Sequence, residues 1–188
     1  MTEVAAKKLE LQELEFKSAI DEVLTNLKAQ VPILWVTTHE EDRFIEEYKE
    51  AIEKYEAAVP ERPKRRTYVW SGYNGVAPLK DYKLARRATG DMDKTWMPNI
   101  LLTKVLETEK DDAKESGIVY ILRDFHTVLH DQTARQIRDM YEHMGNKGKT
   151  LLIVSPFLAY PGGSGIHPTL EKQVVVVNYN LPSRDQIE

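Results

Sequence analysis

The stretch from Gly117 to His126 narrows the folds open to this chain more than any other. Ile118, Val119, Tyr120 and Ile121 run together without a polar break, and Leu122 extends the run. Glycine stands before it and charge behind it. A short apolar run of mostly β-branched and aromatic side chains, bounded in this way, reads as a strand buried on both faces of a parallel sheet. Asp124 follows at its carboxyl end. Open α/β sheets place ligands beyond the carboxyl ends of their strands. In nucleotide hydrolases of the P-loop type an Asp at that position holds magnesium. The rest of the chain decides whether a nucleotide site surrounds Asp124.

At 188 residues the chain is long enough for one domain with a sizeable core. Hydrophobic residues make up 41% and charged residues 30%, the balance of an ordinary globular protein. A net charge of -4 gives no general attraction to nucleic acid. Cysteine is absent, which excludes disulfides and thiol chemistry and fits a cytoplasmic protein. The first residues are charged (Glu3, Lys7, Lys8, Glu10) and form no signal peptide, and no apolar run reaches membrane-spanning length.

Leu9, Phe16, Ile20, Val23, Leu24 and Leu27 recur at helical spacing, so residues 3–29 read as one long helix packed on the domain. Pro32 ends it, and Ile33 to Thr38 form the first core strand. A helix follows to about Ala58, with Thr38 as expected N-cap and Glu41 completing a capping box. This strand, turn and helix start is where a phosphate loop would lie. Such a loop needs glycines for close backbone approach, a lysine for the β/γ-phosphates and a hydroxyl for magnesium. Thr37 to Asp42 has neither glycine nor lysine, and Glu40, Glu41 and Asp42 crowd the first turn with negative charge. These carboxylates suit the helix dipole and repel a triphosphate. The turn therefore reads as a self-capped helix start.

Lys64, Arg65 and Arg66 form a basic cluster before a second strand, residues 67–71. With Tyr68, Trp70 and Tyr73 nearby, they raise the possibility of a single-strand nucleic-acid surface; solvated basics beside core-facing rings are the plainer alternative. Residues 72–96 are broken by Gly72, Gly75, Pro78 and Gly90 and read as an irregular insertion carrying Lys80, Lys83, Arg86 and Arg87. Pro98 to Glu107 reads as a buried helix, and Asp131 to Met144 as an amphipathic one stopped at Gly145 and Gly148. Lys149 to Ser155 is a fourth strand. Pro156 to Pro168 reads as a mobile surface loop, and Gln173 to Asn178 as a fifth strand. Strands alternating with helices predict a parallel sheet with helices on both faces. Near the end, Ser183 and Gln186 form a capping-box pattern behind Leu181. A single turn is not stable alone, so the native chain is expected to continue past Glu188.

Taken in order, several stretches resemble one family. They are Pro32 to Arg43, Tyr68 to Ser71 with Gly75, Leu122 to His126, and Arg135 to Asp139. Ser155-Pro156, Leu170 to Lys172 and Leu181-Pro182 continue the match. Residues from about 20 to 188 are thus similar to the N-terminal domain of the AAA+ ATPases first known as conserved hypothetical open reading frames of algal plastids. That family is found also in cyanobacteria, other bacteria and large phages. The resemblance implies a three-layer α/β/α sandwich of P-loop NTPase or RecA-like type without a Walker A, with five mostly parallel strands in the order 5-1-4-3-2. It implies that Asp124 falls at the Walker B position, that Phe125 stands where an active enzyme has its glutamate, and that Ser155 falls at the sensor-1 position. An intact AAA+ module with ATP and magnesium would follow in the full-length chain. The long first helix and the glycines from Gly162 to Gly165 look like departures from the pattern.

The expectation is therefore a helix over residues 1–30 and a pseudo-ATPase domain over residues 31–188, without catalysis, cofactor or metal of its own. Thr37, Thr38, Asp124 and Ser155 would be vestigial nucleotide-site positions. Asp124, His126 and Glu40 form a weak metal alternative; His39 lies in the same edge cluster. Lys64, Arg65, Arg66, Lys80, Lys83, Arg86 and Arg87 would form a partner surface. Expected partners are the chain's own AAA+ module, other subunits of a homo-oligomer and an unidentified protein. A nucleic-acid-binding module and a stand-alone adaptor are the alternatives.

Overall fold

The computed structural model describes residues 18–83 and 94–179. Of the long first helix, the described part is α1 (Ala19–Lys28), capped by Ser18, whose side chain accepts from the Asp21 amide. Residues 3–17, Arg86, Arg87 and the Leu181 to Gln186 pattern lie outside the described residues.

Strand β1 (Ile33–Thr37) leads into α2 (Glu41–Ala58). Strand β2 (Lys64–Ser71) turns back into β3 (Gly75–Pro78), and α3 (Pro98–Glu107) follows. The run that dominates the sequence is β4 (Glu115–Arg123), leading through a single 3-10 turn into α4 (Asp131–Asn146). Strand β5 (Lys149–Ser155) is followed by a small hairpin, β6 (Ala159–Tyr160) and β7 (Gly163–Ser164), and by β8 (Val175–Asn178).

The main sheet has six strands in the order β3-β2-β4-β5-β1-β8. This corrects the expected five-stranded sheet: β3 extends it antiparallel beyond β2, so the full order differs from 5-1-4-3-2 by that added edge strand, while the five expected strands keep their relative positions. All other pairings in it are parallel. The expected irregular insertion is thus partly strand. Gly75 permits the tight return with φ +76, and the Thr95 hydroxyl accepts from the Val76 amide. The expected mobile loop also holds the paired hairpin β6–β7. Strand β2 starts at Lys64, so the basic cluster lies in the sheet and not ahead of it.

Alternation along the buried strands splits the core in two. One face carries Leu34, Val36, Val119, Ile121, Leu152 and Val154 against Val23 and Leu27 of α1 and Phe44, Ile45 and Tyr48 of α2. The other carries Ile33, Trp35, Trp70, Tyr120, Leu122 and Ile153 against Leu101 and Val105 of α3 and Ile137, Met140 and Met144 of α4. Helices therefore cover both faces, and the central strands are buried as parallel strands must be. Lys149 lies in this core with its amine donating to the carbonyls of Val105 and Leu106, each at 2.8 Å. It closes the carbonyl end of α3, which the helix itself cannot satisfy.

Candidate functional site

The carboxyl ends of β1, β4 and β5 come together at one edge. Thr37 pairs with Ser155, and Arg123 with Val154. Only Thr38, His39 and Glu40 separate β1 from α2. The Thr38 hydroxyl accepts from the Glu40 amide at 2.9 Å, closing a short turn. The helix N-cap is Glu40, without a side-chain cap bond, and this corrects the expected Thr38–Glu41 capping box. Glu41 turns elsewhere. Its carboxylate accepts from Arg123 Nε at 2.7 Å, while Arg123 Nη2 lies 3.2 Å from Asp42. A guanidinium from the end of β4 is thus clamped onto the first turn of α2.

Several polar residues of the edge are engaged by partners inside the fold. Ser155 is fully buried; its hydroxyl accepts from the Trp35 indole at 2.7 Å and donates to the Phe157 carbonyl at 3.0 Å. Thr37 donates to the Asn178 side chain at 2.6 Å, tying β1 to β8. His39 is exposed. Asp124 adopts the left-handed conformation, φ 51, and its carbonyl accepts from the Thr127 amide and hydroxyl. Its carboxylate is half exposed and faces a cleft of about 420 Å³ lined also by Glu41, Trp70, Tyr73 and Arg123. His126 is buried, with Nδ1 3.7 Å from Asp124 Oδ1, beyond hydrogen-bond reach. Its ring meets Phe157 edge-on at 5.2 Å. Glu40 pairs with Arg43 on the helix side. Among the described residues no three His, Asp or Glu side chains converge on a point where a metal would sit.

Burial pushes the Glu41 carboxyl above its ordinary range; nearby Asp124 adds to the rise and Arg123 opposes it. The edge therefore favours a proton or a cation over added negative charge.

The basic residues expected to face a partner are placed differently from one another. Arg65 lies half buried, its Nη2 donating to the Leu27 carbonyl at 3.1 Å. Arg66 donates to the Glu109 carbonyl and pairs with Glu115 at 3.1 Å. Lys83 pairs with Glu46 at 2.7 Å. Lys64 and Lys80 are exposed. The Arg123 clamp was not read from the sequence as a site feature, although an arginine directly before Asp124 was its available signal.

A family model for the SpoVK-like AAA ATPase N-terminal domain matches residues 19–179. The chain belongs to that family. This AAA ATPase N-terminal domain is also 25% identical, over 175 residues, to an uncharacterized AAA domain-containing protein, ycf46, of Guillardia theta. The match takes in 92% of this chain but 29% of that relative, so the chain spans under a third of the relative's length. Among solved structures, a chain of the Drosophila ORC bound to DNA aligns over 92% of this domain and 94% of its own length. Its TM-score is 0.36 and its identity 9%. No helix among the described residues is long and apolar enough to cross a membrane.

Proposed function

We propose that this domain is a degenerate P-loop-like module, without a working Walker A, that serves docking or assembly in an AAA+ ATPase. The observation that carries the reading is the junction of β1 and α2. A phosphate loop spans about eight residues with glycines and a lysine. Here the connection is Thr38, His39 and Glu40, and Arg123 holds two carboxylates of the following turn in place. Among the described residues no lysine lines the cleft, and its carboxylates repel phosphate.

The Walker B-like position is also unlike that of a working enzyme. Asp124 reaches the cleft, but Phe125 follows it and is fully buried against Trp70. Ser155 has both hydrogen-bonding roles filled inside the fold, leaving it nothing to offer a γ-phosphate. The family membership supports a larger ATPase in which ATP and magnesium act in a separate AAA+ module. Exposed Lys64 and Lys80 remain for a partner surface. The nucleic-acid alternative is weakened by the inward engagement of Arg65 and Arg66.

Incubation of residues 1–188 with ATP and magnesium tests the reading through phosphate release. The expected result is no turnover above buffer. Turnover that Asp124→Asn abolishes would overturn it.

A further inference from the structure

A second concavity lies at the opposite, amino-terminal edge of the sheet, between the ends of α1 and α2 and the starts of β2 and β4. It has a volume of about 260 Å³. Three cations line it: Lys28, Arg62 and Arg65. The Tyr55 ring forms part of its wall, with Lys28 Nζ 4.7 Å from the ring centroid and Arg62 Cζ 5.7 Å away. Arg62 also donates to the Tyr55 hydroxyl at 3.0 Å. Leu24, Ile52 and Pro63 supply apolar surface.

The charges here are unbalanced. Among the described residues no carboxylate lies within ion-pair distance of Lys28, Arg62 or Arg65. Among the described residues Glu56 is the one carboxylate in the lining, and its Oε1 accepts from the Arg65 backbone amide at 3.0 Å. Elsewhere in the molecule half-buried guanidinium groups have partners, as Arg123 has Glu41 and Arg66 has Glu115. Burial pulls the Arg65 guanidinium below its ordinary range; the Tyr48 and Tyr55 hydroxyls and the Glu56 carboxylate oppose this only in part. The side chain reaches this place because Gly117 on the neighbouring strand leaves room: a Cβ there would lie 3.4 Å from Arg65 Nε and 2.9 Å from the Gly148 carbonyl. One guanidinium nitrogen of Arg65 donates to the Leu27 carbonyl, but among the described residues no counter-ion touches the half-buried charge, and an anion in the pocket would supply one.

We propose that this pocket binds a small anionic group, phosphate or carboxylate, attached to an aromatic or apolar body. The anion lies among Lys28, Arg62 and Arg65, and the body packs on Tyr55 and the apolar wall. The volume suits a ligand of the size of one substituted ring. The site is separate from the carboxyl-edge cleft and does not depend on its reading.

The test is a titration of isotopically labelled residues 1–188, followed by amide chemical shifts, with phenyl phosphate and benzoate as probes. Benzyl alcohol supplies the ring without charge. Saturable shifts centred on Ser116, Tyr55 and Arg65 are expected with at least one anionic probe, and the stronger probe identifies phosphate or carboxylate as the preferred group. Lys28→Met and Arg62→Gln, both at exposed positions, should each weaken binding about tenfold while the rest of the spectrum stays in place. Arg65→Met should abolish it. Absence of saturable shifts at about 10 mM of either anion, a millimolar ceiling for even weak specific sites, would overturn the proposal. So would equal binding of benzyl alcohol, or binding unchanged in the Lys28 and Arg62 variants.

Discussion

Glu41 shows how a single side chain decides the character of the carboxyl edge. In a nucleotide cradle its place would favour an anion; here the carboxylate itself is the anion, and Arg123 is its counter-charge. Its pKa is raised from 4.5 by burial and by Asp124, so the folded protein holds this proton more tightly than the unfolded chain does. The sign follows. Glu41 favours the fold most below about 4.5, and that contribution is lost as pH rises through the higher folded-state value. Carboxyl titration by NMR should show the Glu41 midpoint moving up in Arg123→Met, which removes the opposing cation. It should move down in Asp124→Asn, which removes the neighbouring negative charge. Unchanged midpoints in both variants would separate Glu41 from the clamp described here. The charges of this turn were legible in the sequence, and so was their hostility to phosphate. The partner was not, because Arg123 is 82 positions away from Glu41 and only strand pairing brings it near.

At the scale of elements, the long apolar runs announced themselves and the short edge pieces did not. Ile118 to Leu122 and Leu151 to Val154 are fully buried or nearly so, and a fully buried strand has no polar positions to obscure it. Strand β3 has four residues, among them a glycine and a proline, and owes its existence to β2 and to Thr95. Its signal is tertiary, and propensity points away from it. Gly75 is the residue on which this edge turns. A Cβ there would sit 2.6 Å from Thr95 Oγ1 at a φ of +76. Gly75→Ala should destabilise the domain by about 1–3 kcal/mol in urea unfolding. It should also speed hydrogen exchange at Val76, whose amide the Thr95 hydroxyl holds. Gly162→Ala is the control, since its φ is also positive, +95, but a Cβ there meets nothing within 4 Å. Equal costs at the two positions would mean that the contact with Thr95 holds nothing in place. The basic cluster illustrates the same limit from the other side. Lys64, Arg65 and Arg66 read alike in sequence, yet one is exposed and two send their guanidinium groups to backbone carbonyls elsewhere in the fold.

For the whole molecule, the sheet retains the layout of a ligand-binding α/β fold while its edge is closed by internal partners. Ser155 serves Trp35, Thr37 serves Asn178, and Arg123 serves α2. These bonds make the carboxyl edge part of the domain's own stability, and they favour the docking role proposed above over a nucleotide site. Titration of residues 1–188 with ATP and magnesium by calorimetry addresses that claim most directly. The account predicts no saturable heat with the protein at tens of micromolar, a level at which a dissociation constant near 1 μM would be plain. Saturable micromolar binding, weakened by Asp124→Asn, would contradict it and restore the edge as a nucleotide site.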